Sequence, residues 1–96
     1  MGAMTQTATV ADRIEAQLVA ALSPTRLVVT NDSGKHAGHM GDDGTGETHF
    51  RVEITADVFT GQSRVARQRL VNQALADLLA TRIHALAIRA RAPGEA

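Results

Sequence analysis

The sequence has no cysteine. That excludes disulfides, thiol catalysis and any metal centre built wholly on the chain's own thiolates, so a centre that needs sulfur ligands must take them from a partner. Tryptophan and tyrosine are missing too, and Phe50 and Phe59 are the only aromatics, so the core is expected to be aliphatic and alanine-rich. No charge sign dominates: ten basic side chains balance ten acidic ones. A dedicated non-specific nucleic-acid binder draws its affinity from neutralised phosphates, and this balance argues against one. No apolar run approaches the ~18 residues that span a membrane. The N-terminus lacks a charged-then-apolar leader pattern, which makes the cytoplasm the expected location. Without cysteine, the candidate nucleophiles are serine, threonine and Lys35, none of them in an activating motif, so an enzyme is not expected.

What is present fits one domain. A chain of 96 residues, 44% of them hydrophobic, buries roughly 60–70% of its unfolded surface in a single modest core. The charges are unevenly spread. Residues 41–57 hold Asp42, Asp43, Glu47, Glu53 and Asp57 against Arg51, whereas residues 58–96 hold six arginines against Asp77 and Glu95. Met1-Gly2-Ala3 ahead of Met4 reads as an expression remnant. Residues 1–9 are expected to be a disordered N-terminus and 94–96 a flexible tail.

Thr9 and Asp12 have the spacing of a helix capping box. Ile14, Leu18, Ala21 and Leu22 then recur at helical spacing, and Pro24 closes the segment, which predicts a helix over 10–22. The β-branched run Leu27-Val28-Val29-Thr30 predicts a strand. A long polar, glycine-rich loop follows over 31–47, and loops of that length in a compact domain are often functional. From His49 to Ala56 the pattern alternates, with Phe50, Val52 and Ile54 on one side and Arg51, Glu53 and Thr55 on the other. That is a strand with one buried and one wet face, most simply the second half of a hairpin. After a turn at Phe59-Thr60-Gly61, Ser63 caps a predicted helix from Arg64 to Ala80 with an apolar stripe of Val71, Ala74, Leu75, Leu78 and Leu79. Ile83 to Ala90 is the predicted last strand, and Pro93-Gly94 begins a frayed tail. The order is helix, strand, strand, helix, strand.

Several stretches in order along residues 10–93 resemble the BolA family. They are Leu22-Ser23-Pro24, Asn31-Asp32-Ser33 followed by His36, Thr48-His49-Phe50-Arg51-Val52, Phe59-x-Gly61, Arg67-x-Arg69-Leu70-Val71, and His84-Ala85-Leu86. The resemblance implies an α/β (α+β) fold similar to a class II KH domain, with a three-stranded mixed sheet packed against helices, in agreement with the order read above. One departure is Gln68, where the family usually carries histidine between two arginines. Glutamine cannot titrate or bind metal as histidine does, so any role of that histidine is absent or altered.

Four histidines are the borderline-soft metal ligands in the chain, and neutral imidazole suits iron, zinc and copper. The family resemblance implies a partnership with a monothiol glutaredoxin around a shared two-iron, two-sulfur cluster, with thiolate from the partner and from glutathione. No cofactor is expected in the isolated chain, which is expected to be a monomer or weak homodimer. Carried over by motif, the chain's ligands are His84 and His36, with His39 as the alternative loop ligand. Judged on residues alone, His84 shares parity with Leu86 and Ile88 and also reads as a hydrogen-bonded core histidine. His49 reads as structural, on the wet face. A zinc site of histidines only is poor, because structural zinc prefers fixed ligands that include thiolates. The second function implied by the resemblance is DNA-binding regulation of transcription, through Arg64, Arg67 and Arg69 on a helix-turn-helix-like element, with Arg89 and Arg91 adding to it if they lie nearby. Gly38-His39-Met40-Gly41 matches the bare GxxG of KH domains but falls between strands rather than helices.

Overall fold

The computed structural model describes residues 9–32 and 48–95. Helix α1, Val10–Leu22, starts at the expected box: the Asp12 N–H donates to Thr9 Oγ1 at 3.0 Å and the Thr9 N–H donates to the Asp12 carboxylate at 3.2 Å. The aspartate, although shorter than the usual glutamate, therefore closes the box. Val10, Ile14 and Leu18 are buried, Leu22 is half-buried, and Ala21, expected on the apolar stripe, is exposed. The helix ends on Ser23, whose φ of 48° is left-handed and whose N–H donates to the Val19 carbonyl. Pro24 prevents continuation.

Strands β1, Arg26–Asn31, and β2, His49–Thr55, pair antiparallel with Leu27 opposite Ile54 and Val29 opposite Val52. Strand β3, Ala85–Arg91, lies parallel to β2 on its other side, with Phe50 opposite Leu86 and Val52 opposite Ile88. Because side chains alternate across a strand, this register puts Phe50, Val52 and Ile54 in one buried row, flanked by half-buried Leu27, Val29, Leu86 and Ile88. The opposite face carries exposed Arg26, Arg51 and Arg89. The core lies between the first face and the helices. It contains Ile14 and Leu18 of α1, both phenylalanines, and Val71, Leu75 and Leu78 from the crossover between β2 and β3. The fold is thus mixed α+β, with a three-stranded mixed sheet covered by helices, as expected.

The crossover departs from expectation. After a 3₁₀ turn at Asp57–Phe59, Ser63 caps α2, Arg64–Ala74, by accepting from the Ala66 N–H. The helix expected to continue to Ala80 breaks at Leu75 (φ −111°, ψ 16°) and resumes as α3, Ala76–Thr81. The Gln17 amide reaches across from α1 and donates to the Ala74 carbonyl at 2.9 Å and to Asp77 Oδ1 at 3.0 Å. A side chain that takes a carbonyl out of the helical ladder is a recognised cause of a break. The last strand begins at Ala85 rather than Ile83, because the N–H groups of Arg82 and Ile83 still turn back onto the Leu78 carbonyl. Pro93 and Gly94 do not begin a frayed end. Gly94, at φ +89°, makes a turn in which the Glu95 N–H donates to the Ala92 carbonyl.

Candidate functional site

The N-terminal ends of β2 and β3 meet at Thr48. Its carbonyl accepts the N–H groups of His84 (2.7 Å) and Ala85 (3.2 Å), which ties the start of β3 to the start of β2. The His49 carbonyl accepts the Asp32 N–H at 2.8 Å from the β1 side. Parallel pairing then sets His49 opposite Ala85, one position from His84. The two imidazoles end 5.2 Å apart between centroids, tilted by 55°.

His84 is exposed, which overturns the core-histidine alternative. It precedes the first paired residue of β3, so the parity it shares with Leu86 and Ile88 does not carry it into the core. His49 is half-buried, and its Nδ1 lies 2.9 Å from Thr48 Oγ1, itself a buried side chain. When Nδ1 donates that hydrogen bond, the lone pair lies on Nε2, the arrangement usual for ligating histidines. The sequence reading of His49 as merely structural therefore missed that it stands beside His84. The signal was the parallel register, which no local pattern reveals. His36 and His39 lie outside the described residues, as does the GxxG at 38–41.

Among the described residues no three histidine or carboxylate groups converge on one point. The donor set here is two neighbouring imidazoles with no thiolate. It suits a cluster or metal whose remaining ligands come from elsewhere, and it does not suit a closed structural zinc site.

The arginines divide differently from expectation. Arg64 and Arg67, three apart on α2, line an open groove of about 620 Å³ with Arg89 and Arg91 of β3, Gln62, Gln68 and Glu95. Arg69 is exposed and does not line the groove. Arg67 is half-buried and forms a two-pronged ion pair with Glu95, Nη1 to Oε1 at 2.6 Å and Nη2 to Oε2 at 2.9 Å. That bond, helped by the Ala92 N–H, holds the Glu95 carboxyl down to about 2, and Glu95 in turn raises Arg67.

Among the described residues no helix is long and apolar enough to cross a membrane. A family model described as BolA-like protein matches residues 18–95. A Sinorhizobium sp. protein known as the uncharacterized protein in cobS 5'region is 49% identical over 88% of this chain and 91% of its own length. BolA-like protein 1 of Mus musculus is 46% identical over 85% of this chain, which spans 57% of that protein. Among solved structures, the BolA domain of SufE1 from Arabidopsis thaliana superposes with a TM-score of 0.82 at 40% identity, covering 95% of this chain and all of that domain. SufE-like protein 1 itself is described as chloroplastic/mitochondrial, so its compartment differs from the one expected above. The mixed sheet, its helical cover and the family model's match to most of the chain agree, and the chain belongs to the BolA family.

Proposed function

We propose that this chain is a non-enzymatic adaptor that binds a monothiol glutaredoxin and co-ligates a two-iron, two-sulfur cluster with it, for cluster trafficking or iron and redox regulation in the cytoplasm. The observation that carries the proposal is His84, exposed at the edge of the sheet with its backbone pinned to Thr48 and a second imidazole beside it. The chain lacks cysteine, so thiolate comes from the glutaredoxin and from glutathione. The cluster supplies the redox-active iron, and imidazole in place of thiolate lowers the negative charge around it and raises its potential. Within the chain, the Thr48 carbonyl fixes the backbone of His84, and His49 limits the directions its ring takes. His36 is the loop ligand in this reading, with His39 as the alternative. A BolA domain within Arabidopsis SufE1 is in keeping with an iron–sulfur role, and the name BolA-like protein designates no reaction.

The test is a titration of the chain into cluster-loaded monothiol glutaredoxin, followed by visible absorption and circular dichroism. Wild type is expected to change the cluster spectrum, His84→Ala to abolish the change, and His36→Ala to alter it. An unchanged spectrum with wild type and every cognate glutaredoxin would sink the proposal. DNA-binding regulation is the second reading, favoured by the grouping of Arg64, Arg67, Arg89 and Arg91. It predicts binding that weakens steeply with salt and does not depend on His84.

A further inference from the structure

We infer that the groove between α2 and β3 is a binding site for a phosphate group, and that the Glu95 carboxylate occupies it in the free protein. Arg67 is built as an anion receptor. Its Nε–H donates to the Gln62 carbonyl at 3.0 Å and its Nη1 to the Ala90 carbonyl at 3.3 Å. These bonds fix the guanidinium plane and turn its outer fork toward the groove. Both oxygens of Glu95 meet that fork, the two-pronged geometry by which arginine recognises carboxylate and phosphate alike.

The two partners are unequally held. The Arg67 side chain is 14% exposed, whereas that of Glu95 is 45% exposed. Besides Arg67, Glu95 has the Ala92 N–H at 2.9 Å as its hydrogen-bond donor, through the turn at Gly94. The cation is a fixture of the fold and the anion is replaceable. The charges do not balance either: Arg64 and Arg67 line the groove from α2 with one carboxylate, and Arg89 and Arg91 border it from β3, where they also flank Glu53. A phosphate brings up to two charges and three acceptor oxygens to the same fork, and so engages donors that a single carboxylate leaves unused. The neutral amides of Gln62 and Gln68 add donors that need no counter-charge. A volume of about 620 Å³ admits a phosphate together with the group that carries it.

The inference stands apart from the cluster reading, because the groove lies at the Arg89–Arg91 end of β3 and His84 at the other end, and its nucleic-acid arm alone rests on the DNA-binding reading of the same arginines. One ligand chemistry has two sources, a small phosphorylated molecule or the backbone of a single-stranded nucleic acid. Amide spectra of the full chain, recorded at low salt during titration with pyrophosphate and separately with a single-stranded oligodeoxynucleotide, distinguish them. Wild type is expected to show shifts at Gln62, Ala90, Ala92 and Glu95. Glu95→Gln removes the internal competitor's charge and is expected to bind about three- to fivefold tighter, the range of a well-formed exposed ion pair. Arg64→Ala, an exposed position that leaves the fold intact, is expected to bind several-fold weaker. Saturation by pyrophosphate alone identifies a small phosphorylated ligand. Tighter, strongly salt-dependent binding of the oligonucleotide identifies nucleic acid. If neither probe moves these amides, or Glu95→Gln binds no tighter than wild type, the inference is wrong.

Discussion

Replacing Gln17 with alanine tests what holds the helical layer together. The Gln17 amide donates to the half-buried Ala74 carbonyl and to the exposed Asp77 carboxylate. The first bond is a neutral one between elements far apart in sequence, with a net contribution of about 1 kcal/mol. The second is solvent-exposed and adds about 0.5 kcal/mol. Alanine offsets a few tenths of a kcal/mol through its better helix propensity, so the expected net loss is about 1–1.5 kcal/mol. In a domain of this size that lowers Tm by about 5–10 °C. With no tryptophan or tyrosine to report, the assay is thermal melting by far-ultraviolet circular dichroism at pH 7. Gln17→Glu, which sets a carboxylate against the Ala74 carbonyl and Asp77, should cost more than Gln17→Ala. A Tm within about 1 °C of wild type for Gln17→Ala, set against the expected shift, would refute the reasoning. The break at Leu75 would then be set by the packing of Leu75 itself.

The Arg67–Glu95 pair sets a pH dependence at the acid end. Glu95 is held at about 2 against an ordinary 4.5, so its contribution to stability is complete above about 4.5 and is lost as pH falls toward 2. The side-chain carboxyl carbon of Glu95, followed by NMR, should titrate near 2 in wild type. In Arg67→Gln it should rise but stay below the ordinary value, because the Ala92 N–H still donates to it, and a wild-type midpoint near the ordinary 4.5 would remove the ion pair from solution. Phe59 is fully buried in a chain with one other aromatic, and Phe59→Ala should cost about 3–5 kcal/mol. Urea unfolding followed by circular dichroism measures it, and a loss below about 1 kcal/mol would mean that the site collapses around the smaller side chain.

The parts legible in the sequence are those whose causes are local. The Thr9–Asp12 box, the Ile14–Leu18 spacing and the alternation of Phe50, Val52 and Ile54 each carry their partner within a few positions, and each element formed where expected. The break at Leu75 was illegible because the side chain that meets it, Gln17, sits on another helix. The meeting of His49 with His84 depends on which residues face each other across a parallel pair, and nothing near either histidine encodes that register. Glu95 looked like part of a loose end because its partner, Arg67, is distant along the chain, although Pro93-Gly94 is itself a turn signal. His84 was legible as a candidate from its family motif. Its exposure was not, since strand parity argued for burial and the true start of β3 at Ala85 reverses that argument.

The parallel pairing of β2 with β3 also bears on the order in which the molecule forms. β1 and β2 are antiparallel neighbours along the chain, whereas β3 is separated from β2 by the whole helical crossover. Contacts that close a longer segment of chain carry a larger loop-closure entropy and form more slowly. The two imidazoles stand on opposite sides of that closure, so a chain arrested before β3 docks has a hairpin and helices but no paired histidines. Completion of the sheet and completion of the histidine pair are one event, which ties the juxtaposition of His49 and His84 to the integrity of the whole fold.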